Sequence, residues 1–164
     1  MGITVRRIEN HEGPVLRDLR LTALLDSPSA FASTHAREAA LADTFWAGRA
    51  AEGSVGSDRV TFFAFDGGTP DPIGLVAAFR SDADVVELVS MWTAPAARGR
   101  GVGAALVAAV VDFAHPAEVQ LWVTRGNDPA QRLYERCGFE VTGEIAPLPS
   151  DPCKDEVRMR HCPR

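Results

Sequence analysis

The residues best suited to chemistry lie between a predicted strand and a predicted helix, in the segment Arg98–Gly103, which reads Arg-Gly-Arg-Gly-Val-Gly. The first turn of a helix leaves backbone N–H groups unpaired, and the helix dipole makes that end positive. Glycines let a large anion approach these N–H groups, and the two arginines add charge and bidentate donors. The segment therefore predicts a pyrophosphate cradle, with a glycine turn needed only for helix packing as the alternative.

Two elements must hold this loop in place. Val85–Trp92 is apolar and rich in β-branched residues, which predicts a mostly buried strand that ends before Pro95. After the loop, the apolar residues Val102, Leu106 and Val110 recur at helical spacing. The loop therefore connects the carboxyl end of a strand to the amino end of a helix.

Two other nucleotide-binding motifs do not fit. A Walker loop needs Lys-Ser/Thr after its last glycine, whereas Gly103 is followed by Ala104-Ala105. A Rossmann fingerprint needs glycines directly after the strand and an acid at the end of the next strand. The next predicted strand ends at Thr124 without an acid.

Arg98–Gly103 resembles motif A of the GNAT N-acetyltransferase superfamily, Arg/Gln-x-x-Gly-x-Gly/Ala. Asn127–Phe139 resembles that superfamily's Asn…Ala…Tyr…Gly-Phe element. Two motifs in the right order and at the right separation are more specific than either motif alone. The resemblance is strong from about Val60 to Val141 and implies an N-acetyltransferase that uses acetyl-CoA.

The resemblance implies an α/β (α+β) GNAT fold, with a mixed, mostly antiparallel sheet of six to seven strands flanked by helices on both faces. We expect one domain over residues 1–164, in which residues 1–56 supply a strand and substrate-side helices and residues 57–164 supply the acetyl-CoA-binding core. The predicted cofactor-binding residues are Met91, Trp92, Thr93, Arg98, Gly99, Arg100, Gly101, Val102, Gly103, Ala104, Asn127, Ala130 and Tyr134.

Acetyl transfer from a thioester to an amine requires that the amine loses a proton, that an oxyanion is stabilised and that the departing thiolate finds a donor. Tyr134 is the candidate acid, because it shares a helical face with Ala130, Leu133 and Cys137. An ordinary phenol, with a pKa of about 10, stays protonated at neutral pH. The alternative is a boundary tyrosine with a buried ring and a hydrated hydroxyl.

Glu87 is the candidate base, because it is a charged residue in an otherwise apolar strand. Burial would raise its pKa towards neutrality, and its position relative to motif A resembles that of the base in histone-modifying members. Many members use only water, and the alternative reading is a strand-end glutamate paired with an arginine. By the same resemblance, a backbone N–H near Met91 or Trp92 would stabilise the oxyanion where two parallel strands splay.

Helical patterns in the N-terminal third predict one helix over Val15–Leu25 and a second over Thr34–Ala51, with Ser33 or Thr34 as its cap. By the resemblance, this pair forms the substrate wall; the alternative is a packed amphipathic pair. Five residues of this region are candidates to face an acceptor: Phe31, His35, Glu38, Trp46 and Arg49.

Capping residues, glycines and prolines predict the secondary structure of the C-terminal part. Asp128 is the predicted cap of a short helix with Pro129 at its first position, and Gly138 is its predicted left-handed terminator. The prolines within Glu144–Asp155 predict an ordered loop, and the alternating pattern of Glu156–Arg160 predicts a final edge strand.

Composition narrows the possible partners. A net charge of −5 argues against a nucleic-acid binder, and the three cysteines and four histidines lack metal-ligand spacing, which predicts no metal. With no signal peptide and no apolar run long enough for a membrane span, we expect a reduced, cytoplasmic protein without a membrane partner. The expected acceptor is a small-molecule primary amine (an amine, amino acid or antibiotic), and a homodimer is left open. The alternatives are acetylation of protein N-termini or lysines, and a catalytically silent acetyl-CoA-binding module.

Overall fold

The computed structural model describes residues 2–163, which form a mixed seven-stranded sheet with five α-helices. The strands are β1 (Ile3–Arg7), β2 (Arg59–Asp66), β3 (Gly74–Asp82), β4 (Val85–Thr93), β5 (Glu118–Thr124), β6 (Glu140–Leu148) and β7 (Asp151–His161). The helices are α1 (Gly13–Asp26), α2 (His35–Ala39), α3 (Asp43–Ser54), α4 (Val102–Ala114) and α5 (Asp128–Arg136). None of the helices in this described part of the chain is long and apolar enough to cross a membrane.

The strand order is β1-β2-β3-β4-β5-β7-β6. The β4–β5 pair is parallel, as expected for strands joined by a helical crossover, and every other neighbouring pair is antiparallel. This mixed, mostly antiparallel sheet, with helices on both faces, confirms the predicted fold class.

β4 and β5 pair only where they begin. Val85–Glu87 lies in register with Glu118–Gln120, and the ladder stops after these residues. On the other side of β4, the register with β3 shifts so that Ser90 and Met91 together lie opposite Val76. Ser90 has a φ of 61° at this bulge, a conformation that is rare for a residue with a side chain. The carboxyl halves of β4 and β5 therefore diverge.

Each face of the sheet has its own apolar core. α4 and α5 cover one face, where Leu106 and Val110 are buried as the helical spacing predicts. α1 and α3 cover the other face, where Leu24 and Trp46 pack with Phe63 of β2. The helices therefore hold β4 between two packed layers, so that its position is well defined.

The prediction of a single helix over Thr34–Ala51 is wrong, because this segment forms two helices, α2 and α3, separated at residues 40–42. Thr34 is the cap of the first, and its hydroxyl accepts from the Arg37 backbone N–H at 3.2 Å. Leu41 is partly buried against the α1–α3 core. The contact that buries Leu41 is tertiary, and the sequence contains no glycine or proline at residues 40–42 that would predict the break between the helices.

The prediction of a proline loop over Glu144–Asp155 is also wrong, because β6 and β7 continue through it and form a hairpin. Pro147 lies in β6 opposite Asp155, which is tolerated because β6 is the edge strand and proline lacks a backbone donor. The final strand is not an edge, since β7 lies between β5 and β6; the prediction for Glu156–Arg160 is corrected accordingly.

Candidate functional site

A cavity of about 90 Å³ lies between the diverging ends of β4 and β5, and we call it the splay cavity. α5 forms another of its walls. Four of the residues predicted for the site meet in these walls: Met91, Asn127, Ala130 and Tyr134. The end of β4 and the Asn127–Phe139 motif therefore contribute to one place in the fold.

Tyr134 reaches the splay cavity from α5. Only 6% of the residue is exposed, and its ring packs against Phe139 with 5.8 Å between the ring centroids. Burial raises the pKa of Tyr134 above its ordinary value, and the nearby Cys137 adds to the shift. The phenol is therefore protonated at neutral pH and able to donate.

Asn127 begins the helix that carries Tyr134. Its side-chain oxygen accepts from the Ala130 backbone N–H at 3.4 Å, so Asn127 is the cap, whereas Asp128, the predicted cap, is the first helical residue. Pro129 accordingly occupies the second helical position rather than the first. Gly138 has a φ of 93°, which confirms the predicted left-handed terminator.

The amino end of α4 is open. Gly101 is its cap residue, with a φ of 85°, and no side chain caps the helix. The first bond that closes the turn runs from the Ala105 N–H to the Gly101 carbonyl at 3.1 Å, which leaves the N–H groups of residues 102–104 without a partner in the described chain. Cβ atoms built on Gly99 and Gly101 would meet no heavy atom within 4 Å. Free N–H groups facing open space fit the predicted diphosphate cradle.

The two loop arginines are already paired. Arg98 Nη2 lies 2.5 Å from Asp26 Oδ2, and Arg98 Nε donates to the Thr93 carbonyl at 3.1 Å. Arg100 Nη2 lies 2.9 Å from Asp66 Oδ2. About half of each arginine side chain is exposed. Their positive charges are therefore partly neutralised, and Arg98 ties the loop to the end of α1.

Three predicted cofactor residues have clear packing roles. Trp92 is buried in the α1–α3 core, where its Nε1–H donates to Asp26 at 3.0 Å. Thr93 ends β4 in register with β3. A Cβ on Gly103 would lie 2.7 Å from Leu133 Cδ2, so this glycine permits close contact between α4 and α5. None of the three lines the splay cavity.

Glu87 has a different environment from the one expected. Arg158 Nη1 donates to one carboxylate oxygen of Glu87 at 2.8 Å, and Nη2 donates to the other. The Arg158 guanidinium also contacts Gln120 and lies 4.9 Å from the Trp122 ring centroid. The structure therefore contains the pairing with an arginine that the sequence analysis gave as the alternative. Glu87 lines neither the splay cavity nor the larger cavity beside it.

That larger cavity, of about 470 Å³, lies between helices α1–α3 and strands β2–β4, and we call it the helix-side cavity. Val89 and Ser90 line both cavities. The two spaces therefore meet at the β4 bulge, which the sequence does not reveal because serine rarely adopts a positive φ.

Three of the five residues predicted to face an acceptor line the helix-side cavity: Glu38, Trp46 and Arg49. Phe31 instead lies in the α1–α3 core, and His35 is not in the wall. The Trp46 indole N–H is buried and has no hydrogen-bond partner among residues 2–163.

Arg20 joins α1 to both α2 and β4. Its Nε and Nη2 donate to the Glu38 carboxylate at 2.9 and 3.0 Å, and its Nη1 lies 3.2 Å from Ser90 Oγ. Burial acts to raise the pKa of Glu38, but the hydrogen bonds and charge of Arg20 outweigh burial, so the pKa is lowered. Arg20 was missed in the sequence because its partners are distant along the chain and only tertiary packing brings them together.

The fold is similar to that of several solved structures. Spermidine N-acetyltransferase from Vibrio cholerae, solved with CoA and spermine, has a TM-score of 0.75 and 19% identity over 96% of this chain and 94% of that chain. NAA60 from Arabidopsis thaliana, solved with a bisubstrate analogue, has a TM-score of 0.69 and 21% identity over 97% of each chain. Nourseothricin acetyltransferase has a TM-score of 0.59 and 30% identity over 65% of this chain and 66% of that chain.

No curated protein matches the chain. A family model described as the acetyltransferase (GNAT) family, however, matches residues 21–139, which is more than half of the chain. The matched range includes the open amino end of α4, the β4 bulge and the Tyr134 helix. The chain therefore belongs to the GNAT acetyltransferase family and is an N-acyltransferase that uses acetyl-CoA.

Proposed function

We propose that this enzyme transfers the acetyl group of acetyl-CoA directly to the primary amine of a small molecule, with both substrates bound at once. The observation that carries the proposal is the meeting of the splay cavity and the helix-side cavity at Val89 and Ser90. A thioester placed in the first space and an amine placed in the second would react at this junction without a covalent enzyme intermediate.

The donor site is assigned from the free backbone groups and the cavity walls. Residues 102–104 at the amino end of α4 would donate N–H groups to the diphosphate, and Met91, Asn127 and Ala130 would line the path of the pantetheine arm. Arg98 and Arg100 would add charge at the mouth, after rearranging their present carboxylate contacts. Acetyl-CoA supplies the acetyl group in activated form, as a thioester.

The chemical step needs one acid and one proton acceptor. The amine nitrogen forms the new bond to the carbonyl carbon, the carbon–sulfur bond breaks, and Tyr134 donates to the departing sulfur. Backbone N–H groups at the β4 bulge, near Met91 or Trp92, would donate to the developing oxyanion. Packing against Phe139 helps to fix the position of the Tyr134 ring.

We assign removal of the amine proton to water in preference to Glu87. Both oxygens of the Glu87 carboxylate already accept from Arg158, so that a proton would reach Glu87 only after this ion pair opened. Opening a mostly buried pair leaves two charges with poor solvation, which costs several kcal/mol in general. In this assignment, Glu87 stabilises the junction of β4, β5 and β7.

The size of the helix-side cavity favours a small acceptor. Its volume of about 470 Å³ falls within the range of small-molecule sites, roughly 300 to 1,000 Å³. Spermidine and nourseothricin acetyltransferases are among the similar structures. We also propose a cytoplasmic location, since all three cysteines are free.

A thiol-release assay with acetyl-CoA and a panel of small amines tests the proposal. We expect saturable release of coenzyme A with at least one amine and a matching mass increase of that amine. Labelled acetyl-CoA incubated with cell extract is the companion experiment. Label that enters protein but no small amine would favour a protein acetyltransferase, and cofactor binding without any turnover would favour a silent acetyl-CoA-binding module.

A further inference from the structure

Basic side chains outnumber acidic ones in the wall of the helix-side cavity, whereas the chain as a whole is acidic. The whole chain has a net charge of −5, with 22 acidic and 17 basic residues. The cavity wall reverses this balance, with four arginines against two glutamates. These six residues are Arg20, Arg37, Arg49, Arg59, Glu38 and Glu52.

Both glutamates of this wall already have an arginine partner. Glu38 accepts two hydrogen bonds from Arg20, and both side chains are mostly buried, at 11% and 14% exposed. Glu52 lies 3.7 Å from Arg59, in a pair that is about half exposed. Glu38 is therefore not free to neutralise a second ammonium group on an acceptor, and the charge of Glu52 is balanced by the nearby Arg59.

Two arginines of the wall remain without a carboxylate. Within the described residues, Arg37 and Arg49 make no ion pair. The Arg49 guanidinium lies 5.2 Å from the Phe45 ring centroid, which keeps it beside the cavity. Two unpaired cations in one wall attract an anion and repel a polycation.

We infer that the acceptor is a small primary amine that also carries a carboxylate, such as an amino acid, and not a polyamine. This inference rests on the proposed function, because it places the acceptor in the helix-side cavity. The amine would lie at the β4 bulge beside Ser90, and the carboxylate would face Arg37 and Arg49. Guanidinium groups suit this role because they bind carboxylates with paired hydrogen bonds.

The test compares primary amines of nearly equal length that differ in the group at the far end. γ-Aminobutyrate carries a carboxylate, aminobutanol a hydroxyl and putrescine a second ammonium group, and glycine and glutamate extend the acidic series. We expect kcat/KM to be highest for an acid and about tenfold or more lower for aminobutanol and putrescine. Aminopropylphosphonate distinguishes a general anion site, which would accept it equally, from a carboxylate site.

Arginine variants test whether the preference for a carboxylate depends on the wall of the helix-side cavity. Arg49→Gln and Arg37→Gln should each raise KM for the preferred acid by about fivefold to tenfold, with kcat and the KM for acetyl-CoA nearly unchanged. Arg17→Gln is the matched control, because Arg17 is a partly exposed arginine of α1 that does not line the cavity. Arg49→Glu should shift the preference from γ-aminobutyrate towards putrescine. Equal thermal midpoints would show that each variant folds.

The outcomes separate this inference from the proposed function. Turnover of putrescine or aminobutanol as fast as the acids would overturn the carboxylate assignment and leave amine acetylation intact. Arginine variants that behave like Arg17→Gln would overturn it as well. Absence of turnover with every amine of the panel would reject the small-amine function and this inference with it.

Discussion

Replacing Tyr134 with phenylalanine removes the proposed acid and little else. The ring and its contact with Phe139, at 5.8 Å between centroids, are retained. We therefore expect the free energy of unfolding to change by less than about 1 kcal/mol, because only one hydroxyl is lost. The Kd for coenzyme A should also stay within about twofold, since the diphosphate would bind at α4.

The expected loss of rate follows from the pKa values. General acids contribute roughly 100-fold to 10,000-fold. Burial raises the pKa of Tyr134 above its ordinary value of about 10, whereas an ordinary thiol has a pKa of about 8.5. Full proton transfer from Tyr134 to the departing sulfur is then thermodynamically unfavourable. We therefore expect the loss of kcat to lie at the lower end of that range, at about 100-fold. This corresponds to a barrier increase of about 3 kcal/mol.

Steady-state thiol release between pH 6 and pH 9 measures this effect. Because the pKa of Tyr134 is raised, its proton stays in place throughout this range and the wild type should lose no activity at the alkaline end through this group. Cys137→Ala is the control at the residue that follows α5, since burial raises the pKa of this thiol and disfavours the reactive thiolate. A kcat for Tyr134→Phe within twofold of the wild type would remove Tyr134 from the acid role.

Three further substitutions test other parts of the site. Gly101→Val should weaken coenzyme A binding by at least about 100-fold in calorimetry, because its side chain would occupy the open space before α4; Gly56→Val is the control, since Gly56 has a similar φ of 80° and equally open surroundings. Glu87→Gln should lower the free energy of unfolding by about 1 to 3 kcal/mol, because Arg158 loses its charged partner. The decrease of kcat towards acidic pH should persist in this variant, and disappearance of that decrease would identify Glu87 as the base. Glu38 has a lowered folded pKa, so its stabilisation is present above the unfolded value of 4.5 and is lost as the pH falls through the folded value. Urea unfolding should therefore show a smaller difference between wild type and Glu38→Gln at pH 3 than at pH 7, and an equal difference would contradict the lowered pKa.

The sequence alone predicted those parts of the site that depend on local structure. Gly138 adopts the left-handed conformation predicted for a helix terminator, and α4 begins at Val102, where the apolar residues at helical spacing begin. The resemblance to the GNAT superfamily implied Met91, Asn127, Ala130 and Tyr134 as cofactor-binding residues, and these four residues line one cavity. The parallel β4–β5 pair followed from the order strand, helix, strand, because a helical crossover implies a parallel pair, whereas the mixed sheet as a whole was implied by the resemblance.

Tertiary structure decided whatever depends on partners far apart in the chain. Glu87 and Arg158 are 71 residues apart, and only the insertion of β7 between β5 and β6 brings them together. Pro147 is tolerated in β6 because an edge strand has no need of every backbone donor. The Ser90 bulge, whose serine lines both cavities, lies where β4 continues to pair with β3 after its pairing with β5 has ended. Local sequence therefore determined the start of α4 and the glycine that ends α5, whereas packing determined the break between α2 and α3 and which charges meet.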